Sequence, residues 1–181
     1  MAELIQGKDF IAFFRRVKDQ KKQDAGKVRF QTELTLNAEK EVETTKTKDG
    51  VVNSVSDGET SGEFTSLAYR EDKDTVNMWK EMRKWFRNTD KIEVWIVDLA
   101  SKFEEGGKEK YDVEYYQGFF KNFEISAPAD DKVELTYEVA IDGNGVISTD
   151  TLTESQKSAI NKAQYDYHTL AKEGEGTGLP A

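Results

Sequence analysis

Residues 133–141 read Val-Glu-Leu-Thr-Tyr-Glu-Val-Ala-Ile. Val133, Leu135, Tyr137, Val139 and Ile141 fall on one parity, and Glu134, Thr136, Glu138 and Ala140 on the other. Side chains along a strand alternate between the two faces of a sheet, so this period of two demands β-structure with one face buried and one wet. An α-helix would scatter the same five apolar residues around its circumference. The pattern recurs at 28–36, where Val28, Phe30, Thr32, Leu34 and Leu36 alternate with Arg29, Gln31, Glu33 and Thr35. It recurs again where Ile92, Val94 and Ile96 alternate with Glu93, Trp95 and Val97. Residues 10–16 and 63–69 add shorter strands, and 111–125 form a long aromatic-rich strand expected to bend at Gly118. Turns are expected at Glu104-Glu105-Gly106-Gly107-Lys108, Pro128-Ala129-Asp130-Asp131 and Asp142-Gly143-Asn144-Gly145, the last leading into a short strand at 146–152. The chain is mainly β, with about seven to nine strands.

Two segments depart from this period. After Asp74 or Thr75 as a cap, Val76, Trp79, Met82 and Phe86 recur three or four apart, with Met78 and Trp85 beside them, which predicts a helix ending at Asn88-Thr89-Asp90. Its cations Lys84 and Arg87 fall late, where the helix dipole favours them. Thr153-Glu154-Ser155-Gln156 fits a capping box and opens a second helix with Ile160, Ala163, Tyr167 and Leu170 on one face, followed by the Gly-rich tail 173–181. The natural division is therefore a body at 1–152 and a C-terminal helix and tail at 153–181.

Residues 41–47 (EVETTKT) read as a strand with little core behind it. Residues 46–62 are poor in large apolar side chains and carry Asp49-Gly50 and Asp57-Gly58, both turn dipeptides. This stretch is too long for a tight hairpin loop and reads as a long irregular segment of the kind that usually carries function.

The chain of 181 residues contains no Cys and one His, which removes disulfides, thiol chemistry and cysteine-based metal sites. The apolar run Phe10-Ile11-Ala12-Phe13-Phe14 is far shorter than the roughly 20 residues that span a bilayer, so no membrane anchor or signal peptide is expected. Net charge is −9, unevenly placed. Residues 1–27 hold seven Lys/Arg against four Asp/Glu, a net of +3 that leaves −12 for the remainder. So acidic a chain is not built to grip nucleic acid, because phosphate contacts need cations. The asymmetry suits head-to-tail contact between copies.

No catalytic constellation emerges. His168 has no second His or Cys to complete a triad or metal site. Glu104 with Glu105, and Glu134 with Glu138, are explained by solvated surface without invoking an acid and base across a cleft. The Gly-Glu-Gly-Thr-Gly run at 174–178 lacks the Gly-Lys-Ser/Thr end of a phosphate loop. Asp142-Gly-Asn-Gly lacks the distal Glu of a calcium loop and reads as a hairpin turn. No enzyme, cofactor or metal is expected.

Taken in order, several short stretches resemble the siphophage major tail protein, the tail-tube subunit. Gly7-Lys8-Asp9 precedes an apolar strand ending Phe14-Arg15-Arg16. A polar loop ends in Ala25-Gly26-Lys27-Val28 and leads to Phe30-Gln31-Thr32-Glu33. Thr45-Lys46-Thr47-Lys48-Asp49-Gly50-Val51 resembles that family's start of a long loop, and a strand, one helix and the Glu93-Val94-Trp95 strand follow. The similarity spans roughly residues 5–150. It implies a β-sandwich or barrel of the tail-tube type with one flanking α-helix, here joined by a C-terminal helix. It also implies stacked hexameric rings whose sheets join around a lumen that double-stranded DNA traverses without specific binding, in the tail of a virion assembled in the host cytoplasm. Tail terminator, tape-measure and distal tail proteins become the implied partners.

Within that frame the N-terminal strand and polar loop (1–27) and the 46–62 loop are expected to contact other copies. Lys46, Lys48, Asp49, Val51, Val52 and Asp57 are the candidate inter-ring residues. Asp112, Glu114, Glu134 and Glu138 either face the lumen or lie outside and keep the tube soluble. Two rivals share parts of the pattern. One is the tube of a contractile or secretion-type injection system. The other is a monomeric β-barrel binding a small ligand among Tyr115, Tyr116, Phe119 and Phe120.

Overall fold

The computed structural model describes residues 2–70 and 77–161. Eight strands run in chain order: β1 (Phe10–Arg16), β2 (Gly26–Lys27), β3 (Gln31–Thr47), β4 (Gly50–Leu67), β5 (Ile92–Glu105), β6 (Lys108–Ser126), β7 (Glu134–Ile141) and β8 (Val146–Asp150). Helix α1 (Met78–Arg87) lies between β4 and β5, and α2 (Glu154–Asn161) follows β8. All strand pairs are antiparallel, in the order β2-β1-β5-β6-β7-β4-β3, with β8 also on β6.

The sheet rolls up because β1, β4, β5, β6 and β7 each turn an apolar face inward. Ala12 and Phe14 of β1, Ile92, Val94 and Ile96 of β5, Tyr116 and Phe120 of β6, and Leu135, Tyr137 and Val139 of β7 meet Phe64 of β4 and Met82 and Trp85 of α1 in one core. Tyr137, fully buried, is sandwiched between Phe64 at 5.8 Å and Phe123 at 5.3 Å. Its burial pushes the phenol pKa well above the ordinary tyrosine value. Where β1 approaches the start of β3, one side chain bridges the two strands. Gln31 accepts from the Ala12 amide at 3.0 Å and donates to the carbonyls of Ala12 (2.9 Å) and Val28 (3.0 Å).

β6 belongs to both halves of the roll. Its first half pairs with β5 on one side and β8 on the other, and its second half pairs with β7. The change falls at the expected bend. A Cβ on Gly118 would stand 1.9 Å from the Ala140 carbonyl oxygen, so no other residue fits. Gly106 and Gly107, both at positive φ, make the two-residue turn between β5 and β6.

Two expectations change. The strand predicted from Val28 begins at Gln31, because Phe30 turns the chain at a φ of 56°. Residues 46–62 are not irregular: β3 and β4 pair from Gln31/Ser66 out to Thr47/Gly50 in one long hairpin. Lys48-Asp49 is its turn, whereas Asp57-Gly58 lies at a register shift within the ladder. The turn dipeptides misdirect here because Ser, Thr and Val supply the strand, while Gly58 sits at the register shift and not at a turn. The helix signal holds over 78–87, with Met82 and Trp85 buried, while the expected caps Asp74 and Thr75 lie outside the described residues. The capping box is formed: the Thr153 amide donates to Gln156 Oε1 at 2.9 Å and the Gln156 amide to Thr153 Oγ1 at 3.3 Å. From α2, Ile160 packs with Leu152 against Phe13, Val97, Tyr111 and Val113 on the outer side of the roll. Ala163, Tyr167, Leu170 and His168 lie outside the described residues.

Candidate assembly surfaces

The first surface is the arm formed by residues 40–57 of β3 and β4. Cross-strand partners share a face, so Val42/Val55, Thr44/Asn53 and Lys46/Val51 stand on one side and Glu41/Ser56, Glu43/Ser54 and Thr45/Val52 on the other. Along β3 the valine side prolongs the parity of Leu34 and Leu36, which pack on the core. Past the body nothing lies beneath it, and Val42, Val51, Val52 and Val55 are each more than half exposed. Of the six candidate contacts, Lys46 and Val51 share a face, Val52 takes the other, and Lys48 and Asp49 form the tip. At that tip Thr47 Oγ1 donates to the Gly50 carbonyl at 2.8 Å and accepts from the Asp49 amide at 3.2 Å.

Asp57 behaves differently. It sits at the foot of the arm, paired with Lys40 and accepting from Asn144 Nδ2 at 2.7 Å. The Lys40 ammonium, then the Asn144 amide, hold its carboxyl below the usual aspartate range.

The second surface is a wall. The body portions of β3, β4 and β7 and the second half of β6 turn their non-core faces outward together, and these carry Glu33, Glu63, Glu124, Glu134 and Glu138 among Thr, Ser and Asn. Glu63 lies directly opposite Glu138. The one cation in these segments, Lys121, stands 3.5 Å from Glu138. Glu134 and Glu138 thus belong to one face as expected. Asp112 and Glu114 do not join them. On β6 they share the parity of Tyr116 and Phe120, which point into the core, so they prolong the opposite side of the sheet. There Asp112 pairs across from Asp98, and Glu114 accepts a hydrogen bond from the Tyr116 hydroxyl. Burial, then this bond, pushes the Tyr116 phenol pKa up. Sequence reading missed Glu33, Glu63 and Glu124. Glu33 was visible as a polar alternate, but pairing between distant strands puts the other two beside β7, and no local pattern encodes that register.

The ligand-cavity arrangement is not formed. Tyr116 and Phe120 are in the core, whereas Tyr115 and Phe119 point to the other side, so the four line no common space. Glu93, 2% exposed, has the burial of a functional acid, but its partners explain it. It accepts from Arg15 Nε at 2.8 Å and from the Tyr115 hydroxyl at 2.8 Å, Gln117 donates to that hydroxyl at 2.6 Å, and the Arg15 guanidinium lies over the Trp95 ring. A buried carboxylate so completely satisfied is a structural tie. Among the described residues no group of His, Cys, Asp or Glu is placed to hold a metal ion, and no helix is long and apolar enough to cross a membrane.

A rolled sheet with a projecting, uncovered hairpin and a carboxylate wall is the form of a building block, a structural subunit rather than a catalyst. The chain belongs to the phage tail tube protein family, whose model matches residues 4–149. It is 28% identical over 178 residues to a tail protein of Staphylococcus phage phiMR25, covering 98% of this chain and 89% of that protein. Its fold is that of the SPP1 tail tube protein, with a TM-score of 0.71 at 19% identity over 96% of this chain and 98% of that one. The tail of an empty gene transfer agent particle, refined with C6 symmetry, matches with a TM-score of 0.55 at 12% identity over 81% of this chain and 99% of that one. The protein is therefore a non-enzymatic structural component of a phage virion.

Proposed function

We propose that this protein assembles as stacked hexameric rings forming the tail tube of a siphophage, and that double-stranded DNA passes through the lumen into the host. The observation that carries the reading is the carboxylate wall. Like charges directly opposite on neighbouring strands are destabilising, yet Glu63 faces Glu138 and three further carboxylates share the surface. A conduit for a polyanion has a use for that surface, since each lysine or arginine facing the phosphates would hold the DNA back. The wall is also a four-stranded sheet with two open edges, the outer edge of β3 and the 119–126 edge of β6. Two different edges of one sheet meet head to tail, the geometry that closes a cyclic ring. Six such sheets make about 24 strands, and at about 4.8 Å per strand the circumference is about 115 Å before strand tilt. The valine face of the arm then meets the next ring. Tail terminator, tape-measure and distal tail proteins are the partners at its ends and inside it.

A tube of a contractile or secretion-type system shares this fold. The anti-feeding prophage baseplate matches with a TM-score of 0.50 over 83% of this chain, less completely than the SPP1 tube, which favours the siphophage reading. Electron microscopy of the concentrated protein, or of virions carrying it, tests the assembly, with six-fold rings in stacks expected and a persistent monomer inside virions excluding it. The lumen assignment is tested separately by Glu134→Lys with Glu138→Lys. Tubes that assemble but eject DNA slowly support it, and normal ejection from intact mutant tails overturns it.

A further inference from the structure

At the end of the β3–β4 ladder opposite the arm, an aromatic ring is held at the surface by backbone that would suit glycine. Phe30 stands just before the first pair, Gln31/Ser66, with a φ of 56° and 37% of its surface exposed. Left-handed backbone is costly for a bulky side chain and persists only where its surroundings impose it. Here the Leu67 amide donates to the Phe30 carbonyl at 3.1 Å, and the ring packs edge-on against Tyr69 at 5.8 Å. Tyr69 is fixed in turn, its carbonyl accepting from Trp79 Nε1 at 3.0 Å and from Asn77 Nδ2 at 3.3 Å. Phe30 and Tyr69 thus form a preformed aromatic step.

Cations flank the step. The Arg29 guanidinium lies 4.9 Å from the Phe30 ring centroid and 5.9 Å from that of Tyr69. Neither Lys27 nor Arg29 enters an ion pair among the described residues. Burial, then the neighbouring Arg29, pushes the Lys27 ammonium pKa down, the direction taken by a cation with no anion beside it. The foot of the arm has the complementary character. Val42 and Val55 are exposed across from each other, and Glu41 and Glu43 adjoin Val42 along β3, also without ion pairs among the described residues.

We infer that the Phe30–Tyr69 step of one copy receives the foot of the arm of a copy in the adjoining ring, with Val42 and Val55 against the rings and Glu41 and Glu43 toward Lys27 and Arg29. This rests on the tube reading and names the surface that the arm meets. Strands of a wall that joins edge to edge around a ring run along the tube axis with some tilt, so the two ends of the β3–β4 ladder face opposite neighbours. In a stack of like orientation the arm end of one copy meets the Phe30 end of the next. Residues 40–47 span about 26 Å at about 3.3 Å per residue, so the foot lies at the junction and the tip runs on past it. The contact takes the valines and the aromatic step out of water together.

Phe30→Gly separates assembly from folding, because it removes the ring and the backbone strain at once. The melting temperature of the free subunit should fall by no more than about 3 °C, while the concentration at which tubes appear should rise about tenfold. Unchanged assembly by this variant overturns the inference. Combining it with Val42→Ser and Val55→Ser identifies the occupant. Groups that share one contact are not lost twice, so the combined variant should assemble about as poorly as either parent. Losses that multiply to about a hundredfold put Phe30 and the valines in separate contacts and overturn it. The chain has no cysteine, so Arg29→Cys with Val42→Cys can be bridged in full-length tubes by a short thiol-reactive linker. Linked chains should form a ladder that continues beyond six, and Arg29→Cys with Glu63→Cys should form none. Tubes without a ladder, a ladder that stops at six, or linkage within single chains overturn the inference and leave the tube standing. Unmutated protein that never forms tubes counts instead against the assembly reading.

Discussion

The β3–β4 hairpin is one ladder with two fates. Near the body, Leu34 and Leu36 of β3 and Phe64 of β4 pack on Tyr137 and its neighbours. Beyond the register shift between Ala38 and Lys40 the same hydrogen-bonding pattern continues to Thr47/Gly50 with nothing behind it. The inner part is held by burial, where an aromatic side chain contributes several kcal/mol. The outer part has only its cross-strand pairs, worth a fraction of a kcal/mol each. A lone two-stranded ribbon is marginal in water, and the exposed Val42/Val55 pair shows what would complete it: apolar surface supplied by another molecule.

Substitution should separate the two parts sharply. Tyr137→Ala removes the ring sandwiched between Phe64 and Phe123 and is expected to lower stability by about 3–5 kcal/mol, measured by urea unfolding. A loss below about 1 kcal/mol would mean that the inner part is not held by its core. Joining Lys40 to Asp57 through an Asn-Gly turn deletes the arm. The melting temperature should stay within about 3 °C while sedimentation detects no stacked tubes; long tubes from this variant would show that the arm does not connect rings. Val42→Ser with Val55→Ser should leave monomer stability within about 0.5 kcal/mol yet weaken assembly by about tenfold, read as a shift in the concentration at which tubes appear. Equal assembly by this variant would assign the apolar face no role.

The smallest effect concerns the boundary between the two parts. The Asp57 carboxyl has a folded pKa below its unfolded value, so its contribution is fully present above the ordinary aspartate pKa of about 3.9. That contribution is lost as pH falls through the lower folded value. Carboxyl chemical shifts followed by NMR should place its titration below that of a free aspartate, and Asn144→Ala should move it part of the way back. Amide exchange in residues 40–57 should quicken in Asp57→Asn, with exchange in β7 unchanged.

Where periodicity and burial coincide, the sequence was sufficient. The 133–141 alternation, the turn at Asp142–Gly145 and the Thr153/Gln156 box were legible because each is decided by residues close together in the chain. In the arm, residues 41–47 read as the strand they form, whereas 50–62 read as irregular because that strand has no core, and the hydrophobic alternation that marks a strand is a record of burial. The carboxylate wall was half legible for a different reason. Glu134 and Glu138 announce themselves within one strand, but Glu63 joins them only through the β4–β7 register, and Asp112 and Glu114 leave them because the strand that bears them faces its core with the other parity. Local pattern says which residues share a face within a strand, and long-range pairing says which faces coincide.

Gly118 carries a mechanical consequence. Because β6 passes unbroken from the β5–β8 half of the roll to the β7 half, a continuous strand ties the two halves together and resists rotation of one against the other. Load applied to the wall passes along a covalent backbone into the outer layer, and a tube of such subunits should flex at the joints between copies while each copy moves as a stiff link.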